Sequence, residues 1–293
     1  MNLEIERKAF DFDKRVEIVD DIDDPRLRPY WNLRERTLRG ESIFIAEGAL
    51  VVERLLRSSF PVESILITRK ESGIGDCLSL APCDAPIYFV EERAAMNKLL
   101  GFDFHQGVLA LGRRVEPPTL LEGFENFFLD RRNAERSRAW VVLPDATKPD
   151  NLGLAFRCSA ALGAEAVVLG EKCCDPFSRR ALRVSMGGVL QTPIYRAKDL
   201  LSEIAIVRER WGVSFYATVL DDRALSLYDF ASSRRDDKYA AFVFGNEYYG
   251  LSPEQIAACD KCLTIPMNPD VDSLNLGTSV GIFLYEFNRG RDS

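Results

Sequence analysis

Residues 139–169 read AWVVLPDATKPDNLGLAFRCSAALGAEAVVL, and this stretch decides the fold. Its first five residues form a continuous apolar run, as a strand buried on both faces does. Residues 151–162 then bring Leu152, Ala155, Phe156 and Ser159 onto one face at helical spacing. Gly163 closes that helix, and 166–169 is a second apolar run. A strand, a helix and a strand of these lengths make a βαβ unit and predict an α/β fold with a parallel sheet. Arg157 does not fit a packing role. It is the only charged residue from Leu152 to Ala164, on a face made of Gly153, Ala160, Ala161 and Ala164. Such a charge is costly unless it is paired or used, and either an ion pair or a ligand would meet that condition. No GxGxxG follows the first strand, so a Rossmann dinucleotide site is not supported.

Downstream, strands are predicted over 214–218, 241–244 and 263–265, with a last helix over 274–288. Gly245-Asn246-Glu247-Tyr248-Tyr249-Gly250 follows one of those strands, and Ser252-Pro253 opens a helix after it. Glycine, amide and carboxylate just past a parallel strand place a polar site at the carboxyl edge of the sheet. Ile265-Pro266-Met267 and Asp272-Ser273-Leu274-Asn275 lead into the last helix, which Ser273 is placed to cap. Gly277 and Gly281 share one face of that helix and permit close packing against another, including one across a dimer.

Upstream, residues 1–30 read as an acidic, loosely structured lead. Helices over 31–39, 50–57 and 91–100 alternate with strands over 42–46, 64–68, 87–90 and 108–111, which predicts a small α/β domain. Gly101 is placed as a C-cap. Pro117-Pro118 marks a boundary, and 120–132 reads as a short charged helix. The expected organisation is an N-terminal domain over 1–115, a linker over 116–138 and a second domain over 139–293.

No apolar run is long enough to span a bilayer, and the first ten residues lack the apolar core of a signal peptide, so the expected location is the cytoplasm. The net charge of −7 argues against a generally basic nucleic-acid binder. Distribution matters more than the sum, and arginines cluster at Arg34, Arg36 and Arg39, at Arg113 and Arg114, and at Arg179, Arg180 and Arg183. Cys173, Cys174, Cys259 and Cys262 would supply four thiolates to zinc, but a lone CxxC and a vicinal pair read more simply as reduced thiols, and no metal is expected. His105 is the only histidine, and a catalytic role for it is not expected.

The three segments, in this order, resemble the three motifs of the SpoU/TrmH class of SPOUT RNA methyltransferases. Asn151, Gly153 and Arg157 match the first, Gly245, Asn246, Glu247 and Gly250 the second, and Ile265, Pro266, Met267, Ser273, Leu274 and Asn275 the third. Asp175-Pro176-Phe177-Ser178 and Ser185-Met186-Gly187-Gly188 add to the likeness, which covers 139–286. The sequence departs from the family where Leu276-Gly277-Thr278-Ser279 stands in place of the usual Val-Ser-Val-Ala. In the first half, Ile45-Ala46-Glu47-Gly48 and His105-Gln106-Gly107-Val108 resemble the ribosomal-protein-like substrate-binding domain found in the same family.

The resemblance implies a C-terminal α/β knot, a trefoil-knotted parallel sheet, usually dimeric through that domain. It implies S-adenosylmethionine as cofactor, held by Gly245, Ile265, Met267 and Leu274, and methyl transfer to a ribose 2′-hydroxyl of rRNA or tRNA. Arg157, Asn151, Glu247, Ser273 and Asn275 would be the catalytic set, with Arg179, Arg180 and Arg183 on the RNA. An always-protonated guanidinium is a poor base, so Arg157 suits a developing alkoxide and an adjacent phosphate better than it suits a proton. Glu247 would orient Asn151 or Arg157. The alternative on the same fold is an RNA-binding assembly factor without activity.

Overall fold

The structure is a computed structural model that describes residues 16–33, 38, 41–68, 78–130, 137–233, 238–268, 270 and 273–289. The chain divides into two compact units, one of residues 1–115 with 177–190, the other of residues 116–176 with 191–293.

The first unit holds strands β1 (Val16–Ile18), β2 (Ile43–Glu47), β3 (Val62–Thr68), β4 (Ile87–Val90) and β5 (Val108–Arg113), with helices α1 (Ala49–Leu56) and α2 (Arg93–Leu100). The five strands form one sheet in the order β1-β4-β3-β5-β2, with β5 antiparallel to both neighbours. Gly101 ends α2 in the left-handed conformation, as its position predicts. The described part of the lead, from Val16 on, is more ordered than its charge suggests. Asp24 caps a 3-10 helix over Pro25–Tyr30, and Leu27 and Tyr30 are buried in the core. The helix expected over 31–39 falls mostly outside the described residues, as do Arg34, Arg36 and Arg39; Trp31, at its start, is extended.

The second unit holds a seven-stranded sheet whose every pairing is parallel. Its strands are β6 (Arg138–Leu143), β7 (Ala166–Leu169), β8 (Ile194–Arg196), β9 (Ser214–Thr218), β10 (Leu225–Ser226), β11 (Tyr239–Phe244) and β12 (Lys261–Thr264), in the order β10-β12-β9-β11-β6-β7-β8. The central strands are buried along almost their whole length because helices cover both faces. On one face Trp140, Val142, Phe215 and Val243 pack with Phe124 and Phe127 of α3 (Leu120–Leu129) and with Ile204 and Val207 of α6 (Leu200–Trp211). On the other, Phe242 meets Phe283 and Phe287 of the last helix, α9 (Leu276–Asn288), at ring-centroid distances of 5.3 and 5.7 Å.

Helix α3 corrects the expectation of a linker over 116–138. Thr119 and Glu122 form a capping box that starts it, and its Leu120, Phe124 and Phe127 are buried in the second unit. The glycine face of α9 is filled by α4 (Pro149–Ala161) of the same chain. A Cβ on Gly277 would sit 2.4 Å from the Leu154 Cβ, so the two helices meet at backbone distance there. Among the described residues, no helix is long and apolar enough to cross a membrane.

Candidate active site

Because every strand of the second sheet runs the same way, the segments after β6, β9, β11 and β12 emerge at one edge. They enclose a cavity of about 820 Å³. Asn151, Gly245, Asn246, Glu247, Gly250, Ile265, Met267, Ser273, Leu274 and Asn275 all line it, so ten of the residues singled out by motif share one space.

A chain of hydrogen bonds joins three of them. Asn151 Nδ2 donates to Glu247 Oε1 at 2.6 Å, and Asn275 Nδ2 donates to Asn151 Oδ1 at 2.9 Å. Asn275 Oδ1 in turn accepts the Gly277 and Thr278 amides at 2.9 and 3.4 Å. The cap of α9 is therefore Asn275, not Ser273 as the sequence suggested, because the chain turns helical two residues later than expected. Ser273 is exposed at the cavity. Glu247 Oε2 is buried and has no partner among the described residues, so the carboxylate keeps one acceptor uncommitted.

The turn after β11 is held rigidly. Asn246 and Gly250 exchange backbone hydrogen bonds of 3.0 and 2.9 Å, and Asn246 Nδ2 donates to the Asp145 carbonyl at 2.9 Å. A Cβ on Gly245 would lie 2.5 Å from the Gly250 carbonyl carbon, so only glycine lets the turn fold back on its own strand.

Arg157 is exposed on α4. No hydrogen bond or ion pair among the described residues holds its guanidinium, so the ion-pair explanation for this residue finds no support there. Its helix buries Leu152, Ala155, Phe156 and Ser159, the face read from the spacing.

The three arginines proposed for RNA separate. Arg179 is committed within the first unit, donating to the Leu33 carbonyl at 2.7 Å and pairing at 2.7 Å with Glu47, whose carboxylate is itself buried. Its guanidinium also lies 4.5 Å from the centre of the Phe102 ring. A guanidinium so engaged is a strut rather than a phosphate ligand. Arg180 and Arg183 are exposed.

The cysteines do not assemble a metal site: among the described residues no group of three or more histidines, cysteines and carboxylates has metal-binding proximity. Cys173 donates to the Leu143 carbonyl at 3.0 Å, and burial pushes its thiol up to about 11. Burial likewise pushes Cys174 and Cys259 up to about 12. His105 lies at the surface beside Arg93 and Asp103.

Sequence reasoning missed the far wall. Thr218 ends β9, Val219, Leu220 and Asp221 follow it, and all four line the cavity, yet carry no motif. Only their place after a parallel strand marks them. It also passed over Lys148, Tyr248 and Tyr249. The two tyrosines line the cavity, and Lys148 lies against the Tyr248 ring.

The profile of the SpoU rRNA Methylase family matches residues 138–285. An uncharacterised tRNA/rRNA methyltransferase of Mycobacterium bovis is 34% identical over 280 residues, covering 94% of this chain and 92% of its own. The 23S rRNA (guanosine-2′-O-)-methyltransferase RlmB of Acinetobacter baylyi is 32% identical over 202 residues, 68% of this chain and 77% of its own. Among solved structures, the AdoMet-bound rRNA methyltransferase of Sinorhizobium meliloti superposes with a TM-score of 0.76 at 24% identity, covering 95% of this chain and all of that one. The SpoU methyltransferase AviRb of Streptomyces viridochromogenes, in complex with AdoMet, gives 0.73 at 21% identity over 92% of this chain and 99% of that one. The family profile falls on the parallel sheet and on the segments that meet at its edge, and the chain belongs to the SpoU family of RNA methyltransferases.

Proposed function

We propose that the protein transfers a methyl group from S-adenosylmethionine to a ribose 2′-hydroxyl of rRNA or tRNA. The observation that carries this reading is the Glu247–Asn151–Asn275 hydrogen-bond chain, which ties all three motif segments to one cavity. The cavity fits the cofactor in size and in character. Ile265, Leu274 and Phe283 offer apolar wall for an adenine, while Thr218 and the uncommitted Glu247 oxygen offer polar contacts. Gly245 presents backbone to the cavity, and Met267 completes that side. When bound, S-adenosylmethionine supplies a methyl on a cationic sulfur, an electrophile that needs no metal.

The chain's own task is alignment and charge. Arg157 presents its fixed donors to the 2′-oxygen and the adjacent phosphate, stabilising negative charge as it develops. It remains protonated throughout, so the hydroxyl proton goes to another acceptor. Glu247 and Asn275 clamp Asn151 from both sides, which fixes the start of the helix that carries Arg157. Ser273 stands at the cavity as a further hydroxyl for substrate.

In the same reading, the segment from β12 into α9 threads the chain as a trefoil knot, and two copies associate through the second unit. The first 115 residues select RNA, with Arg180 and Arg183 on phosphates. Methylation-site mapping tests the whole: RNA from cells lacking the protein is expected to lose a 2′-O-methyl group that the purified protein restores. Restoration of a base methyl instead, or none with any cellular RNA, would overturn it.

A further inference from the structure

The turn that carries Glu247 also presents two side chains that the reaction above does not use. Tyr248 and Tyr249 are 74% and 66% exposed, and both line the cavity. Adjacent large rings left in water mark a surface that something covers.

Neither ring is loosely held. Beyond the paired backbone of the turn, the Tyr248 amide donates to Asn246 Oδ1 at 2.9 Å. The Tyr249 hydroxyl donates to the Asp145 carboxylate, which is buried behind it. The Lys148 ammonium lies 4.3 Å from the centre of the Tyr248 ring. The backbone is fixed, the hydroxyl of one ring is tied to the protein, and much of both rings still faces solvent. A side chain ordered in advance loses little entropy when a flat partner stacks on it.

The charges around the rings indicate the partner. Lys148, which lies against the Tyr248 ring, is an exposed cation, whereas Asp221, the acid on the far wall, is already paired with Arg223 through bonds of 3.0 and 2.9 Å. In a chain of net charge −7, an aromatic surface beside an exposed cation favours a ligand with a π face and an anionic backbone. An unpaired nucleotide has both, and RNA recognition relies on such splayed bases.

We propose that Tyr248 and Tyr249 form a stacking platform for an unpaired base of the substrate RNA, with Lys148 beside its phosphate. The assignment of RNA rests on the function proposed above; the platform is an addition to it. It also gives an acidic protein a way to hold RNA without a broad basic field.

The test uses the full-length protein and a fluorescein-labelled RNA of mixed sequence, offered single-stranded or annealed to its complement, with affinity read by anisotropy. The native protein is expected to prefer the single strand. Tyr248→Ala with Tyr249→Ala should weaken that binding about ten-fold or more, while Tyr248→Phe with Tyr249→Phe should stay within about two-fold. The phenylalanine pair keeps the rings and removes the hydroxyls, so it separates stacking from a structural role of the Tyr249–Asp145 bond. Equal losses in both pairs, or no loss in the alanine pair, would overturn the platform. So would a native protein without preference for the single strand. A change of oligomeric state in the alanine pair by light scattering, with RNA affinity unchanged, would give the rings to a second copy instead. Methyl transfer to total RNA is measured in parallel: ring-dependent binding without transfer sinks the proposed function alone, and transfer with ring-independent binding sinks the platform alone.

Discussion

Asn151 donates to Glu247 at 2.6 Å across 96 residues of sequence, from the first turn of one helix to the turn after a neighbouring strand. Its own carbonyl oxygen is taken by Asn275, so the Asn151 amide is satisfied at both ends by residues of the other two motifs. Asn151→Ala leaves an acceptor on Glu247 and a donor on Asn275 without partners, and should cost about 1–3 kcal/mol in urea unfolding. Asn151→Asp should cost more at pH 8, because it sets a second carboxylate against Glu247. Protonating either carboxyl removes that repulsion, so the Asp variant should recover towards the Ala variant as pH falls to about 5. Parallel pH profiles for the two variants would contradict this geometry.

Arg157 should separate activity from stability. It is exposed and, among the described residues, unpaired, so Arg157→Ala should move Tm by no more than about 2 °C. Its methyl transfer at saturating RNA should fall by about 100-fold or more. Arg157→Lys keeps the charge but not the planar fork, and should recover only part of the rate. Near-native turnover in the alanine variant would remove Arg157 from the reaction.

The two glycines of α9 should respond in opposite directions. At Gly277 an added Cβ meets the Leu154 Cβ at 2.4 Å and its carbonyl carbon at 3.0 Å, so Gly277→Ala must push α4 and α9 apart. A loss of about 1–3 kcal/mol is expected, with a drop in activity because the α9 cap holds Asn151. At Gly281 the nearest atom is Cys158 Sγ at 3.4 Å, an ordinary contact. Gly281→Ala should be neutral or gain up to about 1 kcal/mol from helix propensity. Chemical denaturation of both variants checks the pair.

Alkylation should order the thiols by exposure and burial. The thiolate is the reactive form, and a raised pKa means less of it at any given pH. Cys173, pushed to about 11, and Cys174 and Cys259, pushed to about 12, should resist iodoacetamide at pH 8 in the folded protein. Exposed Cys83 should label readily. Peptide mapping before and after unfolding reads the order, and rapid labelling of Cys173 in the native state would contradict its burial.

The parallel sheet was legible because its strands are buried on both faces and write unbroken apolar runs, as in 166–169, which is a strand from end to end. The site was legible for a related reason: short polar segments interrupt those runs at one edge. Contacts set by tertiary packing were not legible. Nothing local says that Arg179 turns to Glu47, since an arginine beside two others looks the same whether paired or free. The charged look of 120–132 hid Leu120, Phe124 and Phe127, whose spacing does carry a buried face. Ser273 and Asn275 are both good caps by composition, and the register of the last turn decided between them.

The span between the members of the hydrogen-bond chain also governs when the protein can work. Asn151 must wait for a residue 124 positions later, and β6 for a partner strand about 100 positions later. Closing such long loops is paid in entropy before any contact returns it, so the sheet's centre forms slowly and late. During synthesis Asn275 leaves the ribosome only after all seven strands of its sheet. A chain cut short of Ser273 would retain those strands and the Glu247 bond to Asn151, but would lose the Asn275 half of the clamp and the packing of α9 against the arginine helix.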